Sequence, residues 1–478
     1  MRISDVPLEI LCRILVLSDP QTILRCSSVS STWHDAIAGC LELQYQVELW
    51  KAGLVCGLPS SMSMADKLQA LAKHRRAWQE LDWTSKTEFD LPSSREHELV
   101  AGIFAFREDF GPPLIDVDPG TLETVTLAMD PTQDLLAVVY SPAPGSDSFT
   151  LILRSLSAEN PHPMARHPTI TIEADNVVLG PRTIQIAHDV VGISFGILGV
   201  IRIWNWHTGV LLADVARLDT RLPDFRFLSP RAFVTASPTE SGWIDIFMIT
   251  PTKAPDHAGA VHVVRLRFPE LARVDGMSLW DSQAIDISGG PVCGHPIRGS
   301  FSPRTENGIY LFMHEVHSLN HERQSRWLRL MIHHRTLADY ISRYLQADQT
   351  ECIDLQWEAW GPRNTRILPG DPLDWIAATH GERIAIRGVE QLQVQVFDFG
   401  IFPGDPANDK SEDDALVLGP TTIGAPFNDP VTTYLPFRRT SLETRDFNRI
   451  FMDQEHLIVA EDFEEDFEMT IFKFPCTV

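Results

Sequence analysis

TVTLAMDPTQDLLAVVYSPAPGSDSFTLILRSL (124–156) sets the pattern that most of this chain repeats. LLAVVY (135–140) and FTLILRSL (149–156) are strand-length and apolar or alternating, and the Pro, Asp, Gly and Ser between them are turn formers. The same grammar recurs in FRFLSPRAFVTASPTESGWIDIFMIT (225–250) and in GSFSPRTENGIYLFMHEVHSLNHERQSRWLRLMIHH (299–334). Further strands are expected at IRIWNW (201–206), VHVVRLRF (261–268), LQVQVFDF (392–399), HLIVA (456–460) and MTIFKF (469–474). Strands this numerous, with few helical segments between them, point to an all-β sandwich, barrel or propeller. Length decides. A sandwich rarely needs ~390 residues, whereas repeats of about 40–45 residues fill 90–478 with roughly six or seven irregular blades. DPANDKSEDD (405–414) reads as a solvated loop inside one blade.

Upstream of Asp90 the apolar period changes from 2 to 3.6, and residues 4–83 read as helices. Asp5 precedes Val6-Pro7, and proline is tolerated in a first helical turn. Leu8, Leu11 and Leu15 follow at helical spacing beside Ile10, Ile14 and Leu17, so the apolar stripe is wide. Asp19-Pro20 supplies a second start, leading to Ile23, Leu24 and Cys26. Ser30 or Ser31 can cap a third helix carrying Trp33 and Ile37, and Leu41, Tyr45 and Leu49 continue a fourth up to Gly53. A last helix has Met64, Leu68, Leu71, Arg75 and Trp78 on one face, with Lys73–Arg76 over much of the other. The expected fold class is α+β multidomain: three short helices (1–40), linker helices (41–89), then a β-propeller-like domain (90–478).

Arg and Lys total 40 against 64 Asp and Glu, a formal charge of −24. Phosphate contacts need clustered cations, so nucleic acid is not expected as a partner, and an acidic surface also repels anionic membranes. Solubility accounts for the charge in general. Asp453–Glu468, with eight acids and no Lys or Arg, is the stretch suited to steering a basic partner. The cysteines (Cys12, Cys26, Cys40, Cys56, Cys293, Cys352, Cys476) are odd in number and contain no C-x-x-C, so neither a disulfide framework nor a zinc site is indicated. The longest uncharged apolar run, Val190–Ile201, is too short for the ~20 residues a spanning helix needs. Asp5 and Glu9 interrupt any signal-peptide core. A cytoplasmic or nuclear location is expected.

No phosphate-cradling glycine motif and no G-x-S-x-G elbow occurs. His314-Glu315-x-His317 is not H-E-x-x-H, and His314, His317 and His321 read as loop histidines. His333-His334 end a strand and point to opposite faces. No catalytic residue, metal or cofactor is expected. Trp204, Trp206, Trp243, Trp327, Trp357, Trp360 and Trp375 are candidate partner anchors, most of them read as core.

ISDVPLEILCRILVLSDPQTILRCSSVSSTWHDAI (3–37) resembles the F-box. The family pattern is Leu-Pro-x-Glu-Ile/Leu, a leucine-rich helix, an Asp-Pro start, an apolar pair and Val-x-x-x-Trp. Val6, Pro7, Glu9, Ile10, Ile14, Leu15, Leu17, Asp19, Pro20, Leu24, Val29 and Trp33 hold matching places. Val6 stands where Leu is usual and Ser30 where Cys often stands. LELQYQVELWKAG (41–53) and Trp78-Gln79-Glu80-Leu81-Asp82-Trp83 resemble a fungal subset of that family. Fragments of the β-region are similar to WD repeats: Gly294-His295, and IRIWNWHTGVLLA (201–213) with Asn205 for Asp. Trp280-Asp281 lacks the surrounding strand pattern.

The resemblance implies that residues 1–40 bind a Skp-type adaptor joined to a cullin scaffold, with Pro7, Leu8, Ile10, Leu11, Ile14, Leu15, Leu24, Val29 and Trp33 contributing to the contact or its support. So short a helical segment cannot hide all these side chains by itself. The implied function is substrate recognition in a ubiquitin ligase, with the β-region holding an unknown protein target and no catalysis by this chain. The alternatives are an F-box scaffold without a degradation role and a propeller-fold hydrolase or lyase.

Overall fold

The computed structural model describes residues 6–56, 61–92, 97–100, 102–106, 122–142, 148–158, 160–173, 180–196, 199–215, 224–250, 259–274, 277–290, 301–304, 306–319, 324–347, 351–372, 376–388, 392–401, 415–462 and 466–475. Helices come first: α1 (Leu8–Val16), α2 (Pro20–Ser27), α3 (Ser31–Gly39), α4 (Leu41–Lys51) and α5 (Met64–Glu80). From Ser85 onward strands dominate.

Six antiparallel sheets of four or five strands follow one another along the chain. Blade I spans Leu122–Glu173, blade II Pro181–Val215 and blade III Phe225–Arg267, the last with Ile353–Leu355 added in parallel. Blade IV holds Trp280–Gly289, Ile309–Ser318, Ser325–His333 and Thr365–Gly370. Blade V runs from Ala377–His380 to Phe437–Glu443, and blade VI from Arg449–Met452 to Asp466–Lys473. The first strand of each blade packs against the first strand of the next, and the hairpin His97–Val100/Ile103–Phe106 bridges blade VI to blade I. The ring is therefore a six-bladed β-propeller. It is closed by distant parts of the chain: Ser85–Pro92 pairs along its whole length with Asp466–Lys473 as the outer strand of blade VI.

Stacking explains why the strands read as apolar on both faces. Val190–Phe195 and Ala232–Ser237 are buried at every position. Blades II and III approach so closely that a Cβ on Gly192 would lie 2.7 Å from the Phe225 ring. Polar side chains tie strands and hairpins together. Asp245 accepts hydrogen bonds from Trp243, His262 and Arg265, while Arg231 and Asn205 both reach Asp189.

Several local expectations change. The strand expected to end in His333-His334 stops at His333, and His334 opens α6 (His334–Gln346), followed by α7 (Trp357–Asn364), both inserted within blade IV. Leu337, Tyr340 and Tyr344 bury α6 against blades III and IV, and Trp357 and Trp360 bury α7. His314 and His317 lie on a strand, not in a loop; His321 lies outside the described residues. Trp280-Asp281 opens the inner strand of blade IV. Trp204, Trp206 and Trp243 are core, Trp327 is half-buried, and Trp375 lies outside the described residues, as do Gly294-His295 and 405–414.

Candidate functional site

Each box helix starts where its sequence says it should. Pro7 precedes α1, and its carbonyl accepts from the Ile10 and Leu11 amides. Asp19 caps α2, accepting from the Thr22 amide at 2.9 Å and the Thr22 hydroxyl at 2.6 Å, and these bonds hold its carboxyl below its ordinary range. Ser30, not Ser31, caps α3 through the Trp33 amide at 3.3 Å. α4 packs against α1, α2 and α3, and closes a core of Leu11, Leu15, Ile23, Ala36, Ile37, Leu43 and Val47. Leu41, first of the Leu41, Tyr45 and Leu49 series, is exposed; Tyr45 and Leu49 are buried in a second core, and Leu43 and Val47 face the box.

The implied contact residues divide into two groups. Leu11 and Leu15 are buried inside the box, and Leu24 and Trp33 are half-buried against the same core. Pro7, Leu8, Ile10, Ile14 and Val29 face outward. Ile10, Ile14 and Leu17 recur at i, i+4, i+7, so they form one stripe, turned away from Leu11 and Leu15. Exposure runs from 49% at Ile10 to 55% at Ile14 and 89% at Leu17, with Leu8 at 51% and Val29 at 69%. A soluble surface rarely leaves a stripe such as Ile10, Ile14 and Leu17 open unless something covers it. Among the described residues, nothing in this chain does.

The box is fastened to the ring by α4, α5 and the segment between them. Tyr45, Leu49, Leu54 and Leu71 form a second small core, and the strand Leu54–Cys56 pairs with Phe301–Pro303. Farther along α5, Ala77, Trp78 and Leu81 enter the core of blades V and VI. Trp78 stacks on Phe474 at 4.0 Å, lies beneath the Arg383 guanidinium and donates to the Gln454 carbonyl at 3.1 Å. His74, expected within the basic solvent face, is fully buried: Nδ1 donates to the Pro475 carbonyl and Nε2 accepts from Gln454, each at 2.6 Å. Burial first, then the nearby Arg383, pushes its pKa down to about 3.

A cavity of about 30 Å³ lies at this joint, bordered by Gly53, Arg75, Asn307, His380, Glu382 and Asp398. Glu382 Oε1 lies 3.2 Å from His333 Nδ1 and 3.3 Å from Arg335. Burial pushes the Glu382 carboxyl up to about 7. The joint is built of fixed contacts, so box and ring are positioned relative to each other by packing instead of by a free linker.

Two histidine contacts among the described residues bear on chemistry. Ser282 and His314 lie 2.6 Å apart, but both are buried beside Phe268 and burial drives the imidazole down to about 3. His317 pairs with its neighbour Glu315 at 2.7 Å. Among the described residues no group of three or more His, Cys, Asp or Glu side chains is arranged to hold a metal, and no helix is long and apolar enough to cross a membrane.

Residues 3–51 match the F-box-like family model. No curated protein matches the chain. Among solved structures the chain is similar to Hsv2 of Kluyveromyces lactis (9% identity, 75% of this chain and 79% of that one, TM-score 0.32). It is also similar to the Cps50 (Swd1) β-propeller domain of Myceliophteria thermophila (8%, 73% and 98%, 0.28) and to the C-terminal WD40 domain of Sif2 (9%, 81% and 98%, 0.31). At these values the propeller rests on the sheet topology above and not on the likeness. The chain thus carries an F-box-like domain followed by a six-bladed propeller, an arrangement that fits a substrate adaptor.

Proposed function

We propose that the protein is the substrate-recognition subunit of a Skp-cullin-F-box ubiquitin ligase, working in the cytosol or nucleus. The observation that carries this reading is the second apolar face of α1. Ile10, Ile14 and Leu17 stay exposed although the box already has a closed core of its own, and so do Leu8, at the N-terminal end of the Leu11–Leu15 face, and Val29. A Skp-type adaptor covers that face, Pro7 shapes its entry, and Leu11, Leu15, Leu24 and Trp33 support it from beneath. The cullin is reached through the adaptor. The propeller holds the protein target, and the packed joint at Trp78 and His74 keeps the target at a set distance from the ubiquitin carrier. The contribution is proximity: a held lysine meets the carrier at high effective concentration.

Replacing Leu8 and Ile14 together with Asp tests the reading. Burying an unpaired carboxylate in an apolar interface costs more than the ~2–7 kcal/mol of a neutral polar group, so co-purification of the adaptor is expected to collapse. Both positions are exposed, so circular dichroism and thermal unfolding of the ring are expected to stay unchanged. Undiminished adaptor binding in the double variant sinks the proposal. Proteasome inhibition then asks whether captured targets accumulate, as they do only if the complex directs degradation.

A further inference from the structure

The outer strand of blade VI differs from the other five. Ser85–Pro92 spans eight residues, against three to six in the outer strands of blades I to V, and 83–90 are exposed without a break. Its inner side pairs with Asp466–Lys473, and among the described residues no strand pairs with its outer side. Alternate amides and carbonyls along that side are therefore open to a further strand.

The charge pattern says which kind. Asp90 stands opposite Glu468, and Glu468 stands opposite Glu461, so three carboxylates line up across three neighbouring strands on one face. Glu88 lies on the same face, two residues along. Like charges placed directly opposite destabilise a sheet. Arg445 reaches Glu468 at 2.6 Å and Lys86 reaches Glu88 at 2.8 Å, but among the described residues no cation lies within ion-pair distance of Asp90 or Glu461. Burial, then the neighbouring Asp446 and Glu468 carboxylates, push Glu461 above its ordinary range, and the nearby Arg445 and Arg387 offset this only in part. The same row repels a second copy of this chain, whose net charge is −24. A cationic strand relieves it. Phe89, exposed on the opposite face of the strand, offers an apolar contact beside it.

We infer that this edge takes an extended, lysine- or arginine-rich segment of a protein target as an added strand, its alternate cationic side chains continuing the row Asp90–Glu468–Glu461. This rests on the propeller being the target-holding part, and it shares no residue with the adaptor surface.

The test uses the full chain and a fluorescent peptide of about eight residues alternating lysine and valine, followed by anisotropy at about 0.15 M salt. Saturable binding is expected. Methylating alternate backbone nitrogens of the peptide leaves its charge intact and removes strand pairing, and is expected to weaken binding at least about tenfold. Asp90→Lys, with Glu461→Lys as the second variant, is expected to weaken it on the order of tenfold. The Leu8 and Ile14 double variant is expected to bind the peptide normally. Equal binding of the methylated peptide, unaltered binding by both charge variants, or no binding of the parent peptide overturns the inference. If the peptide binds as described while adaptor capture survives in the double variant, the adaptor reading falls alone.

Discussion

Helix α1 and the strand Val190–Phe195 are both apolar nearly throughout, and the structure treats them in opposite ways. The strand has a sheet neighbour on each edge and a blade on each face, so every residue disappears. α1 has a single layer behind it, which takes Leu11 and Leu15 and leaves Ile10, Ile14 and Leu17 outside. Apolar residues on two faces need two covering layers. Where the chain's own topology supplies the second, the result is core. Where it does not, the result is an exposed apolar surface, the one the adaptor proposal rests on.

The largest expected effect lies where the two regions join. Trp78→Ala removes a stacked ring from a buried groove and is expected to cost about 3–5 kcal/mol, read as a lower unfolding midpoint. The two faces of α1 are then separated by a matched pair. Leu15→Ala is expected to cost about 2–5 kcal/mol, and Ile14→Ala to stay within about 0.5 kcal/mol while still weakening adaptor binding. Equal stability losses from Leu15 and Ile14 erase the contrast on which the docking argument stands.

Acidity sharpens the same comparison at the joint. Native Glu382 keeps its proton up to about 7, whereas an unfolded glutamate releases it near 4.5. Between those values the folded state binds more protons, so this contribution is fully present below 4.5 and is lost as pH rises through about 7. Its size is on the order of 3 kcal/mol. His74 acts in the other direction: held neutral down to about 3 against an ordinary 6.5, it contributes above 6.5 and is lost as pH falls toward 3. Glu382→Gln is expected to flatten the alkaline side of the stability profile, followed by denaturant unfolding across pH. A profile identical to wild type refutes that assignment.

Local signals carried the box well. Asp19-Pro20, Ser30 and the leucine spacing act within a turn or two of themselves, so helix starts and the apolar stripe were readable. Strands were equally legible, because period 2 is a local property. What stayed hidden depends on distance along the chain or on context. Nothing in SKTEFDLP announces that it pairs with Asp466–Lys473, since the partner lies at the other end of the sequence. His74 sits in Lys-His-Arg-Arg and reads as solvent-facing, yet its helix face is set by Leu71 and Trp78. α6 was missed because WLRLMIH runs directly into HRTLADYISRYL without a turn residue, although Leu337, Tyr340 and Tyr344 show the helical period. The edge proposed for the target left the least trace, because strand edges are made of backbone and their side chains carry only the charge pattern.

The smallest effect tests whether the box is a separate cooperative unit. Ser30 Oγ accepts from the Trp33 amide at the start of α3, and that helix supplies Ala36 and Ile37 to the box core. Removing such a cap costs about 1 kcal/mol, a few-fold change in the local opening equilibrium. Hydrogen exchange on the Ser30→Ala variant is therefore expected to quicken at amides of α1, α2 and α3, with blade II amides such as Val191 and Ile193 unaltered. The core of Leu11, Leu15 and Ile37 shares no residue with the blade cores, and its packed route to the ring runs through α4 and α5 to blades V and VI, far from blade II. Acceleration that spreads into blade II shows one cooperative unit, and the two-layer distinction between α1 and the buried strands then loses its energetic meaning.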